Sequence, residues 1–474
     1  MPGNDYDVIV IGGGPVGENV ADRAVQGGLT AVVVESELVG GECSYWACMP
    51  SKALLRSPQV LRAAQHVAGA AEAATGTLDV AAVLARRNSF VSDWSDAGQV
   101  GWLESAGIDL ARGHGRITGL REVTVTADDG GSRVLTARHA VVVSTGTDAA
   151  IPPIDGLQQA APWTSREATS AQEIPESLAI IGGGVVAVEM ATAYAALGAA
   201  VTLIARHGLL GSMEPFAGER VEAALRGAGV DVRTDTITSS VRRDEAGVTL
   251  TLSDDTQVRA REVLVATGRS PRSDDLGLET IGLTPGEYLT TDDTLRVTGV
   301  DWLYAVGDVN GRALLTHQGK YQARAAGDVI VARAQGNAVD DASWGRHVAT
   351  ADHVAVPQVV FAEPEVASVG LTAQAAADTG LPTRVVDHVL GAVAGAGLRE
   401  DGYAGHARMV VDTERGVLVG VTFVGPDVAD LLQAATIAVV GEVPISRLWH
   451  AVPAYPTVSE IWLRLLETYG REAV

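Results

Sequence analysis

Cysteine and lysine are nearly missing from this chain. Only Cys43 and Cys48 among 474 residues are cysteine, which excludes a fold stapled by several disulfides. Of the 35 basic residues only Lys52 and Lys320 are lysine; the rest are arginine. Long apolar runs are lacking too. The chain is 47% hydrophobic, yet no uninterrupted stretch nears the roughly 18 residues of a membrane span. Met1-Pro2-Gly3-Asn4-Asp5 shows no basic segment leading into an apolar one, so no secretory signal is read and a cytoplasmic location is expected. Basic residues are outnumbered by 58 acidic ones, and a net charge of −23 argues against nucleic acid and anionic membranes as partners. The ten histidines form no pair at ligand spacing, so no metal site is expected. The partner to look for is a small molecule.

The two cysteines stand together, in Gly40-Gly41-Glu42-Cys43-Ser44-Tyr45-Trp46-Ala47-Cys48-Met49-Pro50-Ser51-Lys52. If that segment opens a helix, both thiols come within disulfide reach, and a helix N-terminus favours thiolate. Two small buried hydrophobes are the bland alternative. A reactive pair without a secretory signal reads as catalytic rather than structural. Lysine four residues after Cys48 is notable in so arginine-rich a chain, because an ammonium pKa responds to its surroundings and a guanidinium does not.

Upstream lies a complete βαβ unit. Asp7-Val8-Ile9-Val10-Ile11 reads as a buried parallel strand, and Gly12-Gly13-Gly14-Pro15-Val16-Gly17 as the glycine turn. A helix from Glu18 to Gln26 follows, then a second strand, Thr30-Ala31-Val32-Val33-Val34, closing on Glu35 and Ser36. Gly12, Gly14 and Gly17 let a pyrophosphate approach the helix N-terminus, and Glu35 can accept from a ribose. Glu35 would repel a 2′-phosphate, so this nucleotide carries none.

The unit repeats 170 residues on, from Gly12 to Gly182, with Gly14 matched by Gly184 and Gly17 by Ala187. Glu35 is matched by Ala205 and Ser36 by Arg206. Loss of the acid and gain of a guanidinium is the NADP form of the fingerprint. A solvated loop arginine is the alternative for Arg206. Two dinucleotide folds imply two dinucleotides, with electrons passing between them.

With these motifs, and with Gly113-His114-Gly115, Ser144-Thr145-Gly146-Thr147, Ala266-Thr267-Gly268-Arg269-Ser270-Pro271, Tyr304-Ala305-Val306-Gly307-Asp308, Phe361-Ala362-Glu363-Pro364-Glu365 and Tyr455-Pro456-Thr457-Val458-Ser459-Glu460, the chain resembles the flavoprotein disulfide reductases of the pyridine-nucleotide class over essentially its whole length. Dihydrolipoamide dehydrogenase, glutathione reductase and mercuric reductase belong to that class. The resemblance implies an α/β fold with two Rossmann-like dinucleotide-binding domains and a C-terminal α/β dimerisation domain, as in glutathione reductase. FAD would occupy residues 1–150 and 272–345, NADP(H) residues 151–271, and residues 346–474 would form a homodimer interface whose C-terminal motif completes the partner's active site.

Residue by residue, the resemblance puts Glu35 on the adenosine ribose of FAD and Asp308 at its ribityl or pyrophosphate region. Leu315, Thr316 and His317 approach the pyrimidine edge, and Gly41, Gly115, Thr145, Gly146 and Gly268 line the cofactor sites. Cys48 becomes the flavin-proximal thiolate and Cys43 the interchange thiol. Lys52 contacts the flavin, paired with Glu189. Electrons would run from NADPH through FAD to the Cys43–Cys48 disulfide and on to a disulfide-type substrate.

The chain also departs from its relatives. Where they carry a histidine base, it has Tyr455, with Glu460 five residues on. A phenol of pKa near 10 donates well and accepts poorly at neutral pH. His450 is an alternative base. Mercuric reductases carry tyrosine near this point but add a C-terminal cysteine pair that is absent here. Tyr45 and Trp46 replace smaller residues between the cysteines, as packing or as walls of a substrate pocket. A quinone, a carbonyl compound or a metal ion therefore stands as an alternative acceptor, and a redox-silent flavoprotein as a third reading.

Overall fold

The computed structural model describes residues 3–471. It divides into two compact units: Met1–Pro50, Asn88–Ala150 and Gly268–His353 form the first, and Ser51–Arg87, Ile151–Thr267 and Val354–Val474 the second.

The first unit is built on β1 (Asp5–Ile11), α1 (Pro15–Gln26) and β2 (Ala31–Glu35). Val8, Ile9 and Val10 are wholly buried. A strand apolar on both faces belongs inside a covered parallel sheet, and β1 pairs in parallel with β2, Val8 opposite Ala31 and Ile11 opposite Val34. Full burial of each such side chain contributes about 1.5–3 kcal/mol. The helix starts where Pro15 can take its first position, a place with no amide to lose. Gly12 is needed just before it: its φ is 105°, and a Cβ there would stand 2.4 Å from the Ser144 carbonyl oxygen.

Four further strands extend this sheet, β3 (Asp109–Arg112), β4 (His114–Gly119), β5 (Glu122–Thr126) and β6 (Ser132–Val143). The order is β3-β2-β1-β6-β5-β4, and Leu303–Ala305 adds in parallel to β6. Glu35 ends β2, and Gly307-Asp308 follows the strand at Leu303–Ala305, so both acids emerge at carboxyl ends of parallel strands, where open α/β sheets bind ligands.

The second unit repeats the theme. Ser177–Ile181, Ala200–Ile204, Asp231–Arg233 and Glu262–Val265 form a four-stranded parallel sheet, and helix Val185–Ala196 starts on Gly184. Gly182 repeats the constraint at Gly12, with φ 137° and a would-be Cβ 2.2 Å from the Ala266 oxygen. A three-stranded antiparallel sheet (residues 238–260) and a five-stranded antiparallel sheet (residues 357–425) complete the unit. Residues 51–87, which the sequence reading keeps within 1–150, pack here: Leu54 and Leu55 share one buried cluster with Val188, Tyr194, Val360 and Val424. Among the described residues no helix is long and apolar enough to cross a membrane.

Candidate active site

The cysteine segment does not run as one helix. Gly41–Tyr45 forms α2, the chain breaks at Trp46 (φ −136°), and α3 (Cys48–Gln65) begins afresh. Pro50 explains the break. In a helix continued from Gly41 its ring would collide with the carbonyl of Trp46, whereas in the first turn of α3 it has no such conflict. Cys43 therefore lies inside a short helix and Cys48 starts the long one. Both are half-buried thiols. Cys48 Sγ is 3.4 Å from Thr316 Oγ1, at the start of helix Thr316–Ala334.

A cavity of about 360 Å³ opens in the first unit. Gly12, Gly14, Pro15, Glu35, Ser36 and Gly41 line one stretch of it, and Gly115, Thr145, Gly146, Asp308, Thr316 and Cys43 others. The sequence reading thus names a set that the fold gathers round one space. Gly13 donates its amide to Glu35 Oε2 at 2.6 Å, which fixes that carboxylate at the rim. Nothing lies within 4 Å of where a Cβ on Gly14 would stand, so the start of α1 is open to the cavity. Open amides at a helix N-terminus, with a fixed ribose acceptor beyond them, fit the pyrophosphate and adenosine of FAD. Gly17 does not line the space; it packs under it, its Cβ position 2.0 Å from the Gly12 oxygen.

Asp308 accepts from Thr147 Oγ1 at 2.9 Å, and burial raises its carboxyl above the usual range. Arg269 donates to the same hydroxyl at 2.9 Å and to the Thr147 carbonyl at 2.5 Å. Glu18, in the first turn of α1, is pushed up to about 7 by burial, with Glu35 adding repulsion and Lys320 opposing it. His317 is exposed, and Leu315 caps its helix without a side-chain bond.

In the second unit Lys52 Nζ lies 2.8 Å from Glu189 Oε2 and 5.0 Å from the centre of the Phe361 ring. Glu189 Oε1 accepts the Phe361 amide at 3.0 Å. The carboxylate is 3% exposed and engaged at both oxygens. Gly182, Gly184 and Ala187 form the second glycine turn, where Ala205 stands against Gly183, its Cβ 3.0 Å from that residue's Cβ position. Arg206 is exposed beyond the strand end, as is His207.

Tyr455 and Glu460 differ in their surroundings. Tyr455 is 76% exposed, whereas Glu460 is buried and its Oε2 has no hydrogen-bond partner among the described residues. Residues 458–460 form a 3₁₀ turn leading into helix Ile461–Tyr469, with Glu460 buried at the junction. His450 is exposed. Tyr45 is packing: it is buried, and its hydroxyl donates to the Val39 carbonyl at 3.1 Å.

Sequence reasoning passed over Glu42, Thr147, Asp148, Arg269 and Arg272, all of which line the cavity. The two arginines sit in or beside a quoted motif, so their charge was the available signal. Glu42 and Thr147 also lie inside quoted segments, and only Asp148 had no signal. Among the described residues no group of three or more metal-capable side chains gathers.

Residues 6–336 match the model of the pyridine nucleotide-disulphide oxidoreductases, and residues 356–465 match the dimerisation domain of the same enzymes. Mercuric reductase of Shigella flexneri is 34% identical, over 98% of this chain and 81% of that protein. Dihydrolipoyl dehydrogenase of Chlorobaculum tepidum is 32% identical, over 96% and 95%. Among solved structures, the Cu(II) complex of the HOCl-induced flavoprotein disulfide reductase RclA from Escherichia coli superposes with a TM-score of 0.84 at 23% identity, covering 98% of this chain and 99% of that one. LpdA from Mycobacterium tuberculosis gives 0.82 at 25%, covering 97% and 99%.

Proposed function

Because the chain belongs to the pyridine nucleotide-disulphide oxidoreductase family and is an FAD- and pyridine-nucleotide-dependent oxidoreductase, we propose that it takes electrons from NADPH and delivers them through Cys43 to a small disulfide. Bound FAD would supply the two-electron link between nucleotide and dithiol. Gly12, Gly14, Pro15, Glu35, Gly115, Thr145, Gly146 and Asp308 would hold it. One observation carries the reading: Glu35, at the end suited to a ribose, and Cys43, the candidate nucleophile, open on the same cavity.

Cys43 attacks a substrate sulfur as thiolate, giving a mixed disulfide and one released thiol. Cys48 then displaces the second thiol and closes the Cys43–Cys48 disulfide. The Cys48–Thr316 contact supports Cys48 as the inner thiol, since it holds that sulfur against the helix carrying the pyrimidine-edge residues. Lys52 is kept as the flavin-contacting lysine only on the resemblance; its own partners are Glu189 and the Phe361 ring. NADPH rather than NADH is proposed on Ala205 and Arg206. FAD is assigned to residues 1–150 and 272–345, the nicotinamide nucleotide to 151–271, and pairing into a homodimer with a shared active site to 346–474, all in the cytoplasm.

A second reading, transfer to a metal ion, quinone or carbonyl compound, is favoured by Tyr455. A phenol at that position can protonate a leaving thiolate but is a poor base for generating the Cys43 thiolate at neutral pH. Purified holoenzyme assayed with NADPH against disulfides, quinones, carbonyl compounds and Hg(II) separates the two. Turnover of a disulfide that Cys43→Ser abolishes supports the first; turnover of quinones alone, surviving Cys43→Ser, sinks it.

A further inference from the structure

The cavity of the first unit is lined by seven carboxylates, among them Glu35, Glu42, Asp148 and Asp308, against two guanidiniums, Arg269 and Arg272. A dinucleotide brings two more negative charges to such a space. Glu42 makes the conflict acute. Gly41, just before it, has φ 54°, and a Cβ on Gly41 would stand 3.0 Å from Gly14 Cα. The backbones therefore meet at the N-terminus of α1, and Glu42, the next residue, lines the same cavity as Gly14. An uncompensated carboxylate at that place opposes phosphate binding.

Arg272 answers it from 230 residues away. Its Nη2 is 3.0 Å from Glu42 Oε1, and its Nε donates to Asp148 Oδ1 at 2.7 Å. Its own backbone is pinned on both sides: the amide donates to the Gly146 carbonyl at 3.0 Å, and the carbonyl accepts from Thr145 Oγ1 at 2.7 Å. These bonds follow directly from the short antiparallel pairing of Arg269–Pro271 with Thr147–Ala149, which delivers the guanidinium to α2. Arg269 cannot take over the task, because Thr147 holds it by both hydroxyl and carbonyl.

We propose that Arg272 is the positioning residue that makes this cavity competent for the pyrophosphate of FAD, by cancelling the charge of Glu42 beside the start of α1. The proposal rests on the reading of the cavity as the flavin site. Asp148, the second partner, is 56% exposed at its side chain, and water screens it when the arginine is lost.

The test is a double-variant cycle on the full chain, stripped of FAD and titrated with FAD by flavin fluorescence quenching. Circular dichroism checks the fold of each apoprotein. Arg272→Gln is expected to weaken FAD about tenfold to a hundredfold, the range of one charge-assisted interaction. Glu42→Gln should bind FAD at least as tightly as wild type. Glu42→Gln with Arg272→Gln should return to within about threefold of wild type. Since Arg272→Gln alone strands a carboxylate and can impair folding, the double variant decides: if it binds as weakly as Arg272→Gln, or more weakly than that threefold limit, compensation is wrong. Wild-type affinity in Arg272→Gln overturns the proposal while leaving the flavin reading intact. A wild-type chain that binds no FAD removes the flavin reading, and the proposal falls with it.

Discussion

Lys52 and Glu189 form an ion pair in which the acid is the deeply buried member and the lysine side chain is 36% exposed, with the second carboxylate oxygen taken by the Phe361 amide. Breaking such a pair from one side is costly because the remaining charge stays buried. Lys52→Met should therefore destabilise the protein by on the order of 3 kcal/mol, the lower end of the range for buried pairs, given the lysine's exposure. Lys52→Met with Glu189→Gln should recover most of the lost Tm. Thermal scans of the single and double variants check this, and equal losses in both would show that the pair is not coupled.

Arg206 lies exposed past the end of strand Ala200–Ile204. If it meets the 2′-phosphate of NADPH, Arg206→Ala should lower the NADPH/NADH ratio of kcat/KM by about tenfold to a hundredfold. An unchanged ratio would mark it as a surface arginine.

Much of this architecture is legible in the sequence, and for a physical reason. The βαβ units combine apolar runs and glycine turns within some 30 residues, the first closing on an acid, so their evidence is local. The break between α2 and α3 was also written in the sequence, in Pro50, but the cysteine spacing invited a single helix. The Glu42–Arg272 pair was not legible at all. It joins residues 230 positions apart, and nothing local to either marks the other. The same holds for Gln322, whose Oε1 accepts from the Gly307 amide at 2.8 Å and whose Nε2 donates to Asp352 at 2.9 Å, a buried link that steadies the loop bearing Asp308. The burial of Glu460 beside an exposed Tyr455 was equally unreadable, because it depends on how residues 458–460 turn into the last helix.

Tyr455→His tests what the missing base costs. General acid–base catalysis contributes about 10²–10⁴-fold. Turnover of small disulfides should rise at least tenfold in the variant, while stopped-flow reduction of the enzyme by NADPH stays as in wild type. A variant with intact flavin that gains nothing on disulfides and loses activity on quinones or metal ions would instead favour the second reading of the function.

Glu18 gives a pH signature. Its folded pKa of about 7 lies above the ordinary 4.5, because burial outweighs the pull of Lys320 and of the helix start. A carboxyl raised on folding favours the native state below its unfolded value, and that contribution is lost as pH climbs from about 4.5 through 7. Glu18→Gln should thus leave the Tm of the apoprotein nearly unchanged at pH 4.5 and raise it at pH 8. A gain of the same size at both values would show that Glu18 does not titrate in this range.

Val452 and Tyr455, 84% and 76% exposed, put two large side chains in water on a single copy of the chain. The chain carries a dimerisation domain, and where two copies associate through it, stability rises with the protein's own concentration, because association is linked to folding by mass action. Dilution then acts as a mild denaturant. Melting temperatures, storage lifetimes and specific activities of this enzyme are comparable between preparations only at matched molarity, and a variant that melts early in a dilute assay has to be melted again concentrated before its defect is ascribed to the site that was changed.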